Sequence, residues 1–266
     1  MPAVRPAAVA GTFYPGDAPA LAAEVTSYLS QARPPAARPP KAIIAPHAGY
    51  IYSGPIAASI YARLAPLRSR IRRVVLAGPA HRVYVAGIAV PSAAAFASPL
   101  GEVSLDRKAI DALRAFPFVE SSDRAHAHEH SLEVHIPFLQ SVLGSFSLVP
   151  LVVGDAAPGE MAQVFDALWG GDETLIVVSS DLSHYLPYRE AQQRDRATAE
   201  AIHALDATLQ PEEACGAAPI NGLLRTARTR GMACEIVDVR NSGDTAGDRD
   251  RVVGYGSFAF TEGGNA

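Results

Sequence analysis

Three short apolar runs, each closing on a small-residue turn that carries a histidine, constrain this chain more than any other feature. They are Lys41–Tyr50 (KAIIAPHAGY), Arg72–His81 (RRVVLAGPAH) and Thr174–His184 (TLIVVSSDLSH). They are rich in Val and Ile, too short for helices, and bounded by Gly, Pro and Ser, so they predict buried strands of the parallel kind. In open α/β sheets ligands sit beyond the carboxyl ends of the strands. Three imidazoles at three strand ends can therefore meet in space although they lie far apart in sequence. A fourth run, Cys234–Asp244 (CEIVDVRNSGD), closes on a carboxylate. Imidazoles and a carboxylate at strand ends form a metal-site constellation.

Strand and helix patterns alternate along the rest of the chain. That alternation predicts a single α/β domain with a central mostly parallel or mixed sheet and helices on both faces. Asp17 is placed to cap a helix over residues 21–30. Ser53 is read as the cap of a helix with Pro55 in its first turn. Residues 131–143 read as an amphipathic helix with Leu132, Ile136, Leu139 and Leu143 on one face. The runs 234–239 and 252–260 read as neighbouring antiparallel strands. Residues 1–40 form an N-terminal segment that ends in a Pro-Arg linker, 31–40 (QARPPAARPP).

Composition narrows the function classes. A hydrophobic fraction of 48% over 266 residues supports a large core and excludes disorder. The net charge of −4, without a long basic run, leaves no electrostatic footprint for nucleic acid. No apolar run approaches the roughly 20 residues a membrane helix requires, and no signal peptide is visible. Two cysteines, Cys215 and Cys234, make neither a disulfide framework nor a metal-ligand pair, and read as core residues in a reducing cytosol. Phosphate-loop, dinucleotide, nucleophile-elbow and H-E-x-x-H motifs are absent.

The candidate site residues follow from the strand ends. His47 lies between Pro46 and Ala48-Gly49, a turn that would hold its ring at a defined angle; alone, it reads equally well as a hydrogen-bonded turn residue. His81, after Gly78-Pro79-Ala80, poses the same choice, and the repetition favours function. Asp181 and His184 share one loop, where the carboxylate can orient the imidazole or complete a metal shell, or cap a helix. In the dense tract 126–135 (HAHEHSLEVH), His130 stands at a helix mouth where it could face a pocket, while His135 suits packing. Glu129 and Glu133 read as first-turn helix acids. Asp244 follows Asn241-Ser242-Gly243, which is ordinary turn chemistry unless geometry joins it to His47 and His81. Two His and one carboxylate would make the facial set of non-haem Fe(II) sites.

Several segments together resemble the Memo family, whose prokaryotic branch is also called AmmeMemoRadiSam system protein B. They are AGTFYPGD at 10–17, APHAGY at 45–50, GPAH at 78–81, PLGE at 99–102, EHSLEVHIPFL at 129–139 and SSDLSHY at 179–185. The resemblance implies a fold like that of the class III extradiol dioxygenases, which open catechol-type rings with non-haem iron. It implies that His47 and His81 bind metal, that Asp181 and His184 serve the site loop, and that His184 stands where those dioxygenases carry an acid–base histidine. His130 matches a histidine set one step back from their metal. Asp244 falls where animal relatives carry a metal-binding cysteine and the dioxygenases a glutamate. The cofactor implied is Fe(II), with copper or zinc as alternatives.

The expected function is a metal-dependent, dioxygenase-like redox protein acting on an unknown small molecule, with His47, His81 and Asp244 holding the ion and His184, Asp181 and His130 serving catalysis. Two other readings stand beside it. One is a non-enzymatic protein- or peptide-binding role; for the bacterial branch the resemblance implies a radical-SAM protein and a companion small protein as partners. The other is a zinc hydrolase using an activated water. Neither nucleic acid nor membrane is an expected partner.

Overall fold

The apolar runs become strands where Val and Ile suit a pleated, buried surface. The computed structural model describes residues 3–32 and 38–262. Its strands, in chain order, are β1 (Val4–Arg5), β2 (Ala42–Ala45), β3 (Arg73–Pro79), β4 (Ile88–Val90), β5 (Ala95–Ser98), β6 (Gly101–Ser104), β7 (Val119–Ser121), β8 (Ser147–Val153), β9 (Thr174–Ser179), β10 (His184–Leu186), β11 (Met232–Asn241) and β12 (Val252–Glu262). Nine form the main sheet, in the order β10-β12-β2-β9-β3-β8-β4-β7, with β11 also paired to β12; β1, β5 and β6 make a small second sheet. The middle four, β2, β9, β3 and β8, are mutually parallel, while β12 and β4 flank them antiparallel. The sheet is therefore mixed.

Every residue of β2 and β9 is buried. Successive strand residues point to opposite faces, so both faces of the sheet are covered. The Tyr50–Tyr61 helix packs on β2, β11 and β12, and the Ala217–Thr229 helix on β3 and β9. One continuous apolar core runs from Val9 to Phe260. No helix among the described residues is long and apolar enough to cross a membrane.

Parallel pairing decides where the site lies. Ala45 is in register with Ser179, and Ala77 with Val178. The turns after β2, β9 and β3 therefore emerge side by side on one rim, carrying His47, Asp181 and His81. β11 runs in the same direction as β2, but β12 stands between them. The β11–β12 antiparallel pair matches the sequence reading, with a bulge between Ile236 and Asp238.

Several elements depart from the sequence reading. The Ala18–Gln31 helix is capped by Asp17, which accepts from the Ala20 N–H at 3.0 Å, but the helix runs through Gln31. Of the predicted linker, residues 33–37 lie outside the described residues. Ser53 does not cap the second helix. That helix starts at Tyr50 behind Gly49, Pro55 lies inside it, and the Ser53 hydroxyl donates to the Ala48 carbonyl at 2.8 Å. The single helix predicted over 131–143 is a 3₁₀ turn, Glu133–His135, followed by an α-helix, Ile136–Val142. Pro137 explains the break, since it has no N–H to give to a preceding carbonyl and suits only a first helical turn.

Candidate metal centre

His47 leaves β2 almost completely buried, at 2% exposure. Its Nδ1 lies 2.6 Å from the Ser179 hydroxyl, which donates to the Ser131 carbonyl at 2.6 Å. With its proton committed there, the Ser179 oxygen must accept, so His47 carries hydrogen on Nδ1. Its Nε2 is left as a bare lone pair, the form in which a neutral imidazole binds a metal. His81 is held the same way. Its Nδ1 is 3.0 Å from Glu129 Oε1, and its backbone N–H donates to Glu129 Oε2 at 2.6 Å. Burial would raise the Glu129 carboxyl, yet the His81 ring and the N–H groups of Ser131 and His81 outweigh it and hold it at about 2. A charged carboxylate behind an imidazole fixes its tautomer and strengthens the other nitrogen as a ligand.

His130 completes the group. One ligand nitrogen from each of His47, His81 and His130 lies within 4.8 Å of the others, a set that could hold a metal ion. The His81 and His130 rings stack at 4.6 Å, and His47 meets both edge-on at 5.2 and 5.5 Å. His130 Nδ1 is a buried nitrogen with no hydrogen-bond partner; Glu129 Oε1, at 3.3 Å, lies off the line a bond needs. Burial and the neighbouring His81 lower the His130 ring to about 4, and burial drives His47 well below its ordinary value. Burial thus favours the neutral, metal-binding form of His47 and His130.

The other strand-end residues surround this triad. Asp181, 4% exposed, accepts the His47 backbone N–H on Oδ1 at 2.8 Å and places Oδ2 3.9 Å from His47 Nε2. Burial pushes its carboxyl up to about 7. A nearby cation would reverse that direction. His184 lines the same cavity of about 700 Å³ as the triad, Asp181 and Cys215, and burial lowers its pKa.

Asp244 is not brought to this site. It is exposed at the rim of a different cavity, beside Gln192 and Arg240, and the two cavities share no lining residue. One oxygen accepts from the Tyr188 hydroxyl and the other from the Asn241 N–H at 3.0 Å. The expected two-His, one-carboxylate set through Asp244 is therefore corrected. Its strand is separated from β2 by β12, and a local Asn241–Asp244 cap occupies the side chain.

Two residues read otherwise from sequence belong to the site. Cys215, taken as a core residue, points its sulfur at His47 Nε2 from 3.4 Å. Gly216 makes this approach possible, because a Cβ there would sit 2.5 Å from the Ser179 carbonyl. Burial pushes the thiol up to about 12; a metal would deprotonate it. The available signal was its place just ahead of a helix rather than within one. Glu129, taken as a helix acid, instead anchors His81; no local pattern distinguishes those roles.

Comparison with known proteins gives a consistent result over nearly the whole chain. The family model described as Memo-like protein matches residues 5–259. A MEMO1 family protein of Aquifex aeolicus is 37% identical, covering 97% of this chain and 99% of the relative. Others from Ignicoccus hospitalis and Sulfolobus acidocaldarius are 36% and 32% identical, each again covering 97% of this chain and 98% and 99% of their own lengths. A solved structure of an uncharacterized Escherichia coli K12 protein aligns over 80% of this chain and 98% of its own, with a TM-score of 0.48 and 16% identity, and is too distant to carry weight.

Proposed function

The chain belongs to the Memo family, and from that premise we propose that it is a mononuclear metal protein with dioxygenase-like redox chemistry, Fe(II) being the expected ion. The observation that carries the reading is the convergence of His47, His81 and His130, two of them with Nδ1 anchored so that Nε2 faces the cavity. Imidazoles with Asp181 close by suit iron, and a site built from one side leaves positions open. Bound there, Fe(II) would supply Lewis acidity and electron exchange with oxygen.

The protein's own part is positioning and proton transfer. Ser179 and Glu129 hold the two rings, so that little reorganisation accompanies binding. Asp181 fixes the turn of His47 through its backbone N–H. His184, kept neutral by burial, can take a proton from a substrate hydroxyl in the cavity and return it later. General acid–base help of this kind contributes roughly 10²–10⁴-fold.

The Cys215 sulfur beside His47 favours a second reading, because thiolate with imidazole suits zinc or copper. Zinc with an activated water would make a hydrolase. Anaerobic purification followed by metal analysis decides between them. The expected result is close to one iron per chain, lost in the His47→Ala/His81→Ala double variant. His184→Ala is expected to keep the ion and lose oxygen uptake with an active substrate. Full iron occupancy in the double histidine variant would falsify the proposed site, and stoichiometric zinc would replace the redox reading with hydrolysis.

A further inference from the structure

The wall of the histidine cavity carries two cations that nothing in the metal site uses. Arg82 directly follows His81, and Arg194 projects from the Tyr188–His203 helix; both line the cavity of about 700 Å³. Among the described residues neither guanidinium donates a hydrogen bond or joins an ion pair. Several other arginines are engaged, and two that are not, Arg189 and Arg196, line a separate, smaller hollow with no histidine. Arg5 and Arg63 hold Glu133 and Glu235, Arg73 holds Asp106, and Arg240 holds Asp238. Two unengaged forks in one concave site, on a chain of net charge −4, are a local exception to its overall sign.

The cavity also has an apolar side. Tyr185, Leu186 and Pro211 line it. Tyr185 is 62% exposed and adopts φ 61°, a left-handed conformation that costs a non-glycine residue roughly 1 kcal/mol or more. The Arg251 guanidinium lies over its ring at 5.1 Å. Strain of that kind persists where surrounding contacts over-determine it, commonly at ligand sites. An exposed, strained aromatic beside His184 presents a flat surface to whatever enters.

We infer that the cavity takes a small anionic substrate, a carboxylate or phosphate ester with a planar apolar body, whose oxyanion is gripped by Arg82 and Arg194 while its other end reaches the histidines. Guanidinium forks match the oxygens of both groups and remain charged at every accessible pH. A bound divalent ion would add to the attraction. Glu212, also on the cavity wall, repels the anion and would keep the oxyanion to the arginine side. The assignment rests on the proposed metal site only for the orientation of the body, since the anion grip is built from residues outside it.

Calorimetric titration of cobalt-loaded protein with benzoate, phenyl phosphate and benzamide tests the inference. Benzamide has the body and lacks the charge. The anion is expected to bind at least about tenfold more tightly than benzamide, and Arg82→Gln and Arg194→Gln each to weaken it by about tenfold or more. Whether benzoate or phenyl phosphate is the tighter ligand identifies the oxyanion. Cobalt content should be unchanged in both arginine variants, because neither touches the imidazole nitrogens. Equal binding of benzamide and both anions, or unchanged anion binding in the double arginine variant, overturns the inference. A parallel titration of metal-free protein separates the two claims. If cobalt fails to bind but the arginine-dependent anion preference persists, the metal reading fails alone; if cobalt binds and the preference is absent, the anion reading fails alone.

Discussion

Glu129 and Glu133 sit four residues apart, both essentially unexposed, and they do opposite work. Glu133 is saturated by the protein. It pairs with Arg5 at 2.6 Å and accepts the Tyr14 hydroxyl and the N–H groups of Ala8 and Val9. Every partner is part of the packing that ties the N-terminal segment to the core. Glu129 also accepts backbone N–H groups, but its remaining partner is the His81 ring, whose far nitrogen faces the cavity. The histidines of the same tract divide similarly. His126, His130 and His135 each keep one ring nitrogen unpartnered, yet only His130 lines the cavity with other imidazoles. His126 bonds the Ala89 carbonyl and His135 the Tyr61 hydroxyl. Burial of a polar residue is therefore a poor index of function. What it leaves facing open space is a better one.

The contrast can be broken in four ways. Glu133→Ala should have the largest effect, because it leaves the buried Arg5 charge without its counter-ion, held by the His126 and Glu129 carbonyls. A loss of about 3–5 kcal/mol in denaturant unfolding is expected, with metal stoichiometry of the remaining folded protein unchanged. If the two acids were equivalent, that variant would lose metal as well.

Acid should act through the packing histidines. Burial lowers His126 to about 4 and His135 to about 3 in the folded protein. The unfolded chain binds protons on these rings below about 6.5, where the folded protein does not. The contribution of these two rings should be flat above that pH and should lower stability as pH drops from about 6.5 toward 4, by on the order of 3 kcal/mol for His126 alone. His126→Phe should flatten the profile in this window, and an unaltered acid limb would show that the ring is not the titrating group.

Glu129→Gln removes the charge behind His81 while keeping an acceptor in place. Metal affinity should drop by roughly 10–100-fold, measurable by competition with a chelator, with a smaller cost in stability than Glu133→Ala. Equal metal affinity in this variant would reduce Glu129 to a packing residue. Asp244→Ala should have the least effect. It removes a local cap worth about 1 kcal/mol or less and should leave metal content untouched; a loss of metal would return Asp244 to the site.

Much of the fold was legible because strand runs and helix caps are local. β2 lies inside the first apolar run, Asp17 caps its helix, and the late antiparallel pair forms as read. Boundaries failed where a proline's missing N–H or a serine's alternative bond competed with the hydrophobic period, as at Pro137 and Ser53. In the site, His47, His81, His130, Asp181 and His184 share one cavity as their strand-end and helix-mouth positions suggested. Asp244 did not join them, and Cys215 and Glu129 did.

By itself the sequence determined that three strands would end in turns bearing His47, His81 and Asp181, because β-forming apolar runs and small-residue turns are encoded by adjacent residues. Only tertiary structure decided which other groups reach that rim. Sheet order inserts β12 between β11 and β2, which keeps Asp244 outside. The close approach over Gly216 carries Cys215 in, and the 129–131 loop folds back on β3 to set Glu129 behind His81. Those distances depend on how separate segments pack, and no local spacing records them.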